Sequence, residues 1–472
     1  MKLPISQSQL FVHEFWEAEI IPALMDFIRI PNQSPAFDPE WETNGYLDEA
    51  VRLAYQWCLR HGPGDMQSEI LSAEHRTPLL LLEIPGELPG TALLYGHLDK
   101  QPALEENLWR TGLGPRNPVR EGDKLYGRGA VDNGYAVFTS VAVLRLLREY
   151  GIAHPRCLVL IECSEESGSP DLPYYMERLA DRIGSPGLAV CLDSSCGNYE
   201  QLWLTTSLRG MIGGVLTVRV LEEGVHSGDA GGIVPSSFRI ARALLERIED
   251  QHTGRIRDEF QVEIPDRSAQ EAEVIIDALG PDLFSRFPFA PGVRPAVPEA
   301  VAGIIERIWR PALEIVGAGG LPAPETAGNV LRPVTELRLS LRIPPTLAAD
   351  PASRMLKEIL ESEPPYGAKI HYREDWAADG WRARAFPPWL NTAIQEASGA
   401  FFGKPAISYG EGFSIPFMAI LAASFPKAQF IVTGAMGPKA NAHGPDEFLH
   451  LEMAKKITLC IAEILGNIDP NA

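Results

Sequence analysis

Two histidines and a set of carboxylates recur in short polar segments that could aim them at one point. His97 and Asp99 close the segment Tyr95-Gly96-His97-Leu98-Asp99, and Asp132 follows Gly127-Arg128-Gly129-Ala130-Val131. Glu165 and Glu166 lie in Ser164-Glu165-Glu166-Ser167-Gly168, Asp193 follows Leu192, and His443 lies in Ala442-His443-Gly444-Pro445-Asp446-Glu447. A metal-bound imidazole needs a carboxylate or carbonyl on its other nitrogen to fix tautomer and orientation, so His-x-Asp can supply a ligand and its support together. Imidazoles and carboxylates in combination suit zinc or manganese. Each residue also has an ordinary reading. His97 could be a satisfied core histidine, Asp132 a helix N-cap, Glu165 and Glu166 a solvated loop, Asp193 a turn cap and His443 a surface residue. Those readings need several independent coincidences, whereas one metal site accounts for all of them. The chain has no His-Glu-x-x-His, no Gly-x-x-x-x-Gly-Lys-Ser/Thr loop, no Gly-x-Ser-x-Gly elbow and no clean dinucleotide fingerprint.

The elements around these segments explain how they could converge. Residues 79–84, 91–95, 157–162 and 188–192 are continuous apolar runs, and residues 9–29, 44–61 and 135–150 carry helical spacing. Uninterrupted apolar strands alternating with helices predict a sheet covered on both faces. His97, Glu165, Glu166 and Asp193 then fall at or just past the carboxyl ends of strands, where open α/β sheets bind ligands. The pattern changes at 214–221 and 335–343, which alternate apolar and polar residues as strands covered on one face do. With helices at 238–249 and 352–360 they predict a smaller α+β domain inserted into the first. Helix 388–401, strand 428–432 and helix 451–465 resume the α/β pattern. The predicted division is 1–210 and 376–472 for the catalytic domain and 211–375 for the insertion; the stretch 251–325 yields no assignment.

Composition sets the outer bounds. A chain of 472 residues exceeds one ordinary core and implies two domains. Its 45% hydrophobic and 22% charged content is that of a globular protein. A net charge of −20 gives no support for a nucleic-acid partner. Residues 1–14 show no secretory pattern, and apolar runs such as 79–82 fall far short of a membrane span, so no membrane partner is expected. The six cysteines show no Cys-x-x-Cys spacing and read as buried free thiols, with Cys157 and Cys163 on the same side of one strand. Cytoplasm is the expected compartment.

The metal-site segments, in this order, resemble the co-catalytic di-zinc peptidase and amidohydrolase family of clan MH. That family includes carnosinase-type dipeptidases, aminoacylase, acetylornithine deacetylase and succinyl-diaminopimelate desuccinylase. The resemblance runs from Tyr95 to Glu447. It implies a zinc-peptidase-like catalytic domain with a mixed, mostly parallel sheet, and an inserted ferredoxin-like α+β lid that forms a homodimer. It also implies residue roles: His97 and Asp193 on one metal, Glu166 and His443 on the other, Asp132 bridging them through a residue whose following peptide is often cis, Asp99 supporting His97, and Glu165 as general base. Two divalent ions would be held, zinc first, with manganese or cobalt as alternatives. Such ions, about 3.5–4 Å apart, activate water and polarise a scissile carbonyl.

The insertion adds further expectations. His226-Ser227-Gly228-Asp229-Ala230-Gly231-Gly232 resembles a segment of the dipeptidase and carnosinase branch, which implies that His226 reaches a partner subunit's site and stabilises the oxyanion. Arg342 alternates with Leu337, Leu339, Leu341 and Ile343 and so faces away from them. Its setting with Ser340 and Pro345 resembles the family's substrate-carboxylate arginine, a sensible bidentate pairing, and Asn329 resembles a second substrate position. The segment Glu411-Gly412-Phe413-Ser414-Ile415-Pro416 resembles the loop Arg-Glu-Gly-Gly-Ser-Ile-Pro, with Glu411, Gly412 and Ser414 at substrate-side positions. Gly410 replaces the arginine, Phe413 replaces a glycine and could wall the pocket, and the usual Asp-Lys-Gly after the bridging aspartate is Asn133-Gly134-Tyr135. The implied reaction is hydrolysis of an amide next to a free carboxylate, in a dipeptide or alternatively in an N-acyl amino acid; a catalytically silent binding or assembly module is the alternative from another class.

Overall fold

A computed structural model of the chain describes residues 2–280, 284 and 287–469. The apolar runs form a six-stranded sheet in the order Gln67–Ala73, Arg76–Ile84, Pro155–Glu162, Leu88–His97, Leu188–Cys191 and Gln429–Val432. The first three strands pair antiparallel and the last four pair parallel. Burial on both faces is visible residue by residue. Ala92, Leu94, Cys157, Val159 and Ile161 enter one apolar cluster, while Leu93, Tyr95, Leu158 and Leu160 enter another. Helices Tyr46–His61, Tyr135–Glu149, Pro388–Phe402 and Leu451–Gly466 cover the first face, and Leu172–Arg178 and Pro416–Ser424 the second. All six cysteines are free and buried, with Cys157 and Cys163 in the same cluster.

One expectation about apolar length needs correction. The helical stretch Ala130–Glu149 is long and apolar enough to cross a membrane, yet 94% of its most apolar window is buried within the fold. It is apolar all round because it is sandwiched between the sheet and neighbouring helices.

The alternating segments form a separate four-stranded antiparallel sheet, Ala312–Gly319, Val334–Ile343, Gly210–Arg219 and Lys369–Ala378. Helices Ser237–Leu245 and Ala349–Glu361 cover one face, where Leu337, Leu339, Leu341 and Ile343 meet Leu216, Ile240 and Leu356. Arg342 lies on the opposite face, as its register requires. The stretch 251–325 carries two helices absent from the sequence reading, Ser268–Leu279 and Ala300–Trp309. Their Ala272, Ile275, Ile304 and Ile308 join the first cluster of the large sheet and not the core of the four-stranded one. A three-stranded sheet of Trp381–Arg382, Trp203–Leu208 and Ile407–Glu411 lies beside these helices.

Candidate metal centre and substrate loop

The polar segments converge because parallel strands end together. His97 is the last residue of its strand, not one past it, and pairs in register with Glu162, so Glu165 and Glu166 follow on the adjacent strand's end. Tyr95 pairs with Cys191, which places Asp193 at the same edge from the other side. Asp132 arrives on a π-turn, Ala130–Gly134, before the helix Tyr135–Glu149, and the peptide Asp132–Asn133 is cis, as the resemblance implied. The N-cap reading of Asp132 fails: no side chain caps that helix.

His97 Nε2 lies 3.4 Å from Asp193 Oδ2, 3.5 Å from Asp132 Oδ1 and 3.9 Å from Glu165 Oε2. His443 Nε2 lies 2.7 Å from Asp132 Oδ2 and 3.5 Å from Glu166 Oε2. Asp132 thus faces both histidines with its two oxygens. Among the described residues, three buried atoms here lack hydrogen-bond partners: His97 Nε2, Glu166 Oε1 and Asp193 Oδ1. Orphaned buried polar atoms are costly, and divalent cations bound here would satisfy them, so the donor set fits the implied metals. Ligand atoms lie within 4.8 Å of one another in two triads, His97/Asp132/Glu166 and His97/Glu165/Asp193. These triads share His97 and divide the donors differently from the resemblance, which leaves Glu165 off the metals.

Electrostatics reflect the crowding. Burial raises Glu165, Glu166 and Asp193 above the usual carboxylate range, and the neighbouring carboxylates add to it. Burial opposes charge on His97, but Asp193, Asp132 and Asp99 outweigh it and hold the ring well above its ordinary value. Asp132 is held low against its burial by the neighbouring imidazoles of His443 and His97.

The supports differ in detail from those expected. His97 Nδ1 lies 3.1 Å from the Asp99 carbonyl and 3.4 Å from its carboxylate. That carboxylate accepts the backbone N–H groups of Glu165 at 3.1 Å and Glu166 at 2.9 Å, so Asp99 fixes the base-bearing loop as well as the ring. Sequence reasoning missed the Arg128–Glu447 pair. Glu447 is fully buried, ion-pairs with Arg128 at 2.5 Å and accepts N–H from Gly129 and Val131, while Arg128 donates to the His443 carbonyl. The pair ties the His443 loop to the Asp132 turn. Asn133 adds a bond from Nδ2 to the Leu192 carbonyl at 2.6 Å, next to Asp193.

Position 134 has no room for the family's lysine side chain, because a Cβ there would meet the Phe27 ring and the Gly129 carbonyl. The buried lysine of this site is Lys100, whose Nζ sits over the Phe27 ring and donates to the carbonyls of Phe27 and Ile30 at 2.8 Å and Ile28 at 3.4 Å. It satisfies the orphan carbonyls at the end of helix Ile21–Arg29. Lys100→Met should therefore cost about 3 kcal/mol. Urea unfolding would read this as a lower midpoint at unchanged slope.

The other substrate-side residues fall into two groups. Arg342 donates to Ser414 Oγ at 2.9 Å, which brings strand Val334–Ile343 to the loop 411–414. Glu411 is fully buried and accepts from Ser195 Oγ, two residues from Asp193. Phe413 packs against the second apolar cluster. His226 and Asn329 sit together elsewhere, on the two-stranded ribbon where His226 pairs with Val330 and Ser227 N donates to the Asn329 carbonyl. Neither hydrogen-bonds nor ion-pairs with the acid cluster among the described residues. The exposed His226 ring accepts the Gly228 N–H on Nδ1 at 3.1 Å, so the neutral ring carries its proton on Nε2. Arg209 and Arg307, which sequence reasoning passed over, also reach the loop: Arg209 donates to the Gly412 carbonyl and Arg307 ion-pairs with Glu411. The only sequence signal for Arg307 was the missing side chain at Gly410.

Comparison with known proteins gives concordant matches. The profile of peptidase family M20/M25/M40 matches residues 93–467. The cysteinylglycine-S-conjugate dipeptidase of Corynebacterium striatum is 28% identical over 392 residues, 80% of this chain and 81% of that one. The solved structure of the dipeptidase Dug1p from Saccharomyces cerevisiae superposes with a TM-score of 0.79 at 18% identity over 99% of both chains. Human carnosine dipeptidase 1 gives 0.76 at 20% identity over 98% of this chain and 99% of that one.

Proposed function

The chain belongs to peptidase family M20/M25/M40, and from that premise we propose that it is a metal-dependent dipeptidase that cleaves an amide bond next to a free carboxylate. The observation that carries this reading is the convergence of three orphaned buried donor atoms, with Asp132 between both histidines, beside Glu165 at the end of the parallel strands. His97, Asp193, Asp132, Glu166 and His443 would hold two divalent ions, with zinc best matched to the imidazole and carboxylate donors and manganese or cobalt as substitutes. When bound, such ions lower the pKa of water and polarise the scissile carbonyl.

Glu165, raised by burial, takes a proton from the attacking water and returns it to the leaving amine. Arg342 and Ser414 receive the substrate carboxylate, and the loop 411–414 forms the wall beside it. The four-stranded sheet and its helices act as lid and dimerisation unit of the 211–375 insertion. His226, exposed and with its proton on Nε2, would serve the site of a second copy together with Asn329, and the exposed Val330 pairs with it across the ribbon. The working compartment in this reading is the cytoplasm.

Amine release from dipeptides and N-acyl amino acids, with zinc or manganese supplied, tests the reaction. Dipeptides should be cleaved at least about tenfold faster than acylated amino acids, a difference of about 1.4 kcal/mol in transition-state binding. Preference for acylated substrates would make the enzyme a deacylase on the same metal machinery.

A further inference from the structure

The loop 411–414 gathers three guanidiniums from three distant parts of the chain. Arg307 comes from helix Ala300–Trp309 and ion-pairs with Glu411. Arg209 lies between strands Trp203–Leu208 and Gly210–Arg219 and donates through Nε to the Gly412 carbonyl at 2.8 Å and through a terminal nitrogen to the Arg310 carbonyl at 3.1 Å. Arg342 donates to Ser414 Oγ. Glu411 is the one carboxylate paired with any of them; among the described residues Arg209 and Arg342 form no ion pair. The cluster therefore carries two uncompensated positive charges beside the segment that follows Asp193.

This surplus has no structural purpose that neutral side chains could not serve. Carbonyl and hydroxyl acceptors can be satisfied by uncharged donors, and like charges in a partly buried site disfavour one another. Burial, with the guanidiniums of Arg342 and Arg307, pushes Arg209 down to about 10. The arrangement also accounts for the departure at Gly410. A Cβ at Gly410 would lie 2.5 Å from Ile308 Cγ2 and 2.5 Å from Ser207 Oγ, so the arginine that the family loop resembles at that position has no space here. The helix that fills the space delivers Arg307 instead.

We propose that this loop recognises two negative charges on the leaving residue, so that the enzyme favours dipeptides ending in aspartate or glutamate. The proposal rests on the dipeptidase reading, in which Arg342 takes the α-carboxylate; the remaining positive charge of Arg209 and Arg307 takes the side-chain carboxylate. Guanidinium–carboxylate pairing supplies both charge and orientation. It also gives a role to the helix Ala300–Trp309.

The test compares Ala-Glu with Ala-Gln, and L-glutamate with L-glutamine as released products, on the metal-loaded enzyme. Ala-Glu should show at least about tenfold higher kcat/KM, carried by KM, and calorimetry should show L-glutamate binding at least about tenfold tighter. Arg307→Gln and, separately, Arg209→Lys should shrink both ratios; a residue that only braces the loop would change both substrates equally and leave the ratios standing. Cleavage of Ala-Gln and Ala-Glu within twofold, with equal product binding, overturns the two-charge site and leaves the dipeptidase reading intact. Tighter glutamate binding with no dipeptide cleaved supports the two-charge site and overturns the reaction.

Discussion

Glu165→Gln is expected to lower kcat by about 10³-fold while KM stays within about threefold, the loss typical of removing a general acid–base group. The substitution keeps shape and one acceptor but removes the capacity to take the water proton and return it to the amine. The geometry makes the experiment decisive about role, because Glu165 Oε2 stands 3.9 Å from His97 Nε2 and belongs to a triad that proximity alone could assign to a metal. A general base leaves metal stoichiometry at its wild-type value when replaced by the amide. A ligand would lose metal, and elemental analysis of the purified variant separates the two. Retained turnover in Glu165→Gln would move the base elsewhere.

Removing the metals should destabilise the protein strongly, and more at alkaline pH. Metal that binds only the folded chain adds about 4 kcal/mol at a thousand times its Kd, so chelation should lower Tm by about 4 °C. The pH dependence follows from the crowded donors of the metal-free fold. Glu165, Glu166 and Asp193 sit above the ordinary carboxylate range, so the folded state binds more protons than the unfolded one and stability falls as pH rises through that window. His97 and His443 are raised as well; the stability they contribute is present below the ordinary histidine pKa and is lost as pH rises through the folded value. Asp132, held low, contributes stability above its ordinary pKa and is unchanged between pH 5.5 and 8. All moving groups act in one direction, so the Tm loss on chelation should be larger at pH 8 than at pH 5.5. A loss independent of pH would show that the donors do not share one electrostatic site.

Much of the fold was legible because its strands are buried on both faces. Runs such as 157–162 and 188–192 have no polar side to expose, and that property alone requires helices on either side. The division 1–210, 211–375 and 376–472 stands as a proposal, with the helices Ser268–Leu279 and Ala300–Trp309 packed on the large sheet's core. Those helices escaped sequence reading because a Pro- and Gly-containing stretch surrounds them and their apolar faces become meaningful only against Ile407–Glu411.

The amino-acid sequence by itself determined the donor types and the strand ends that carry His97, Glu165, Glu166 and Asp193, because residue chemistry and periodicity are local properties. Tertiary structure decided which oxygen of Asp132 faces which histidine, that Arg128 and Glu447 bind two loops 319 residues apart, and that Arg209, Arg307 and Arg342 share one loop. Those outcomes depend on register between strands and on helices docking from remote segments. No spacing along the chain encodes the distance between side chains that meet only after the cores have closed.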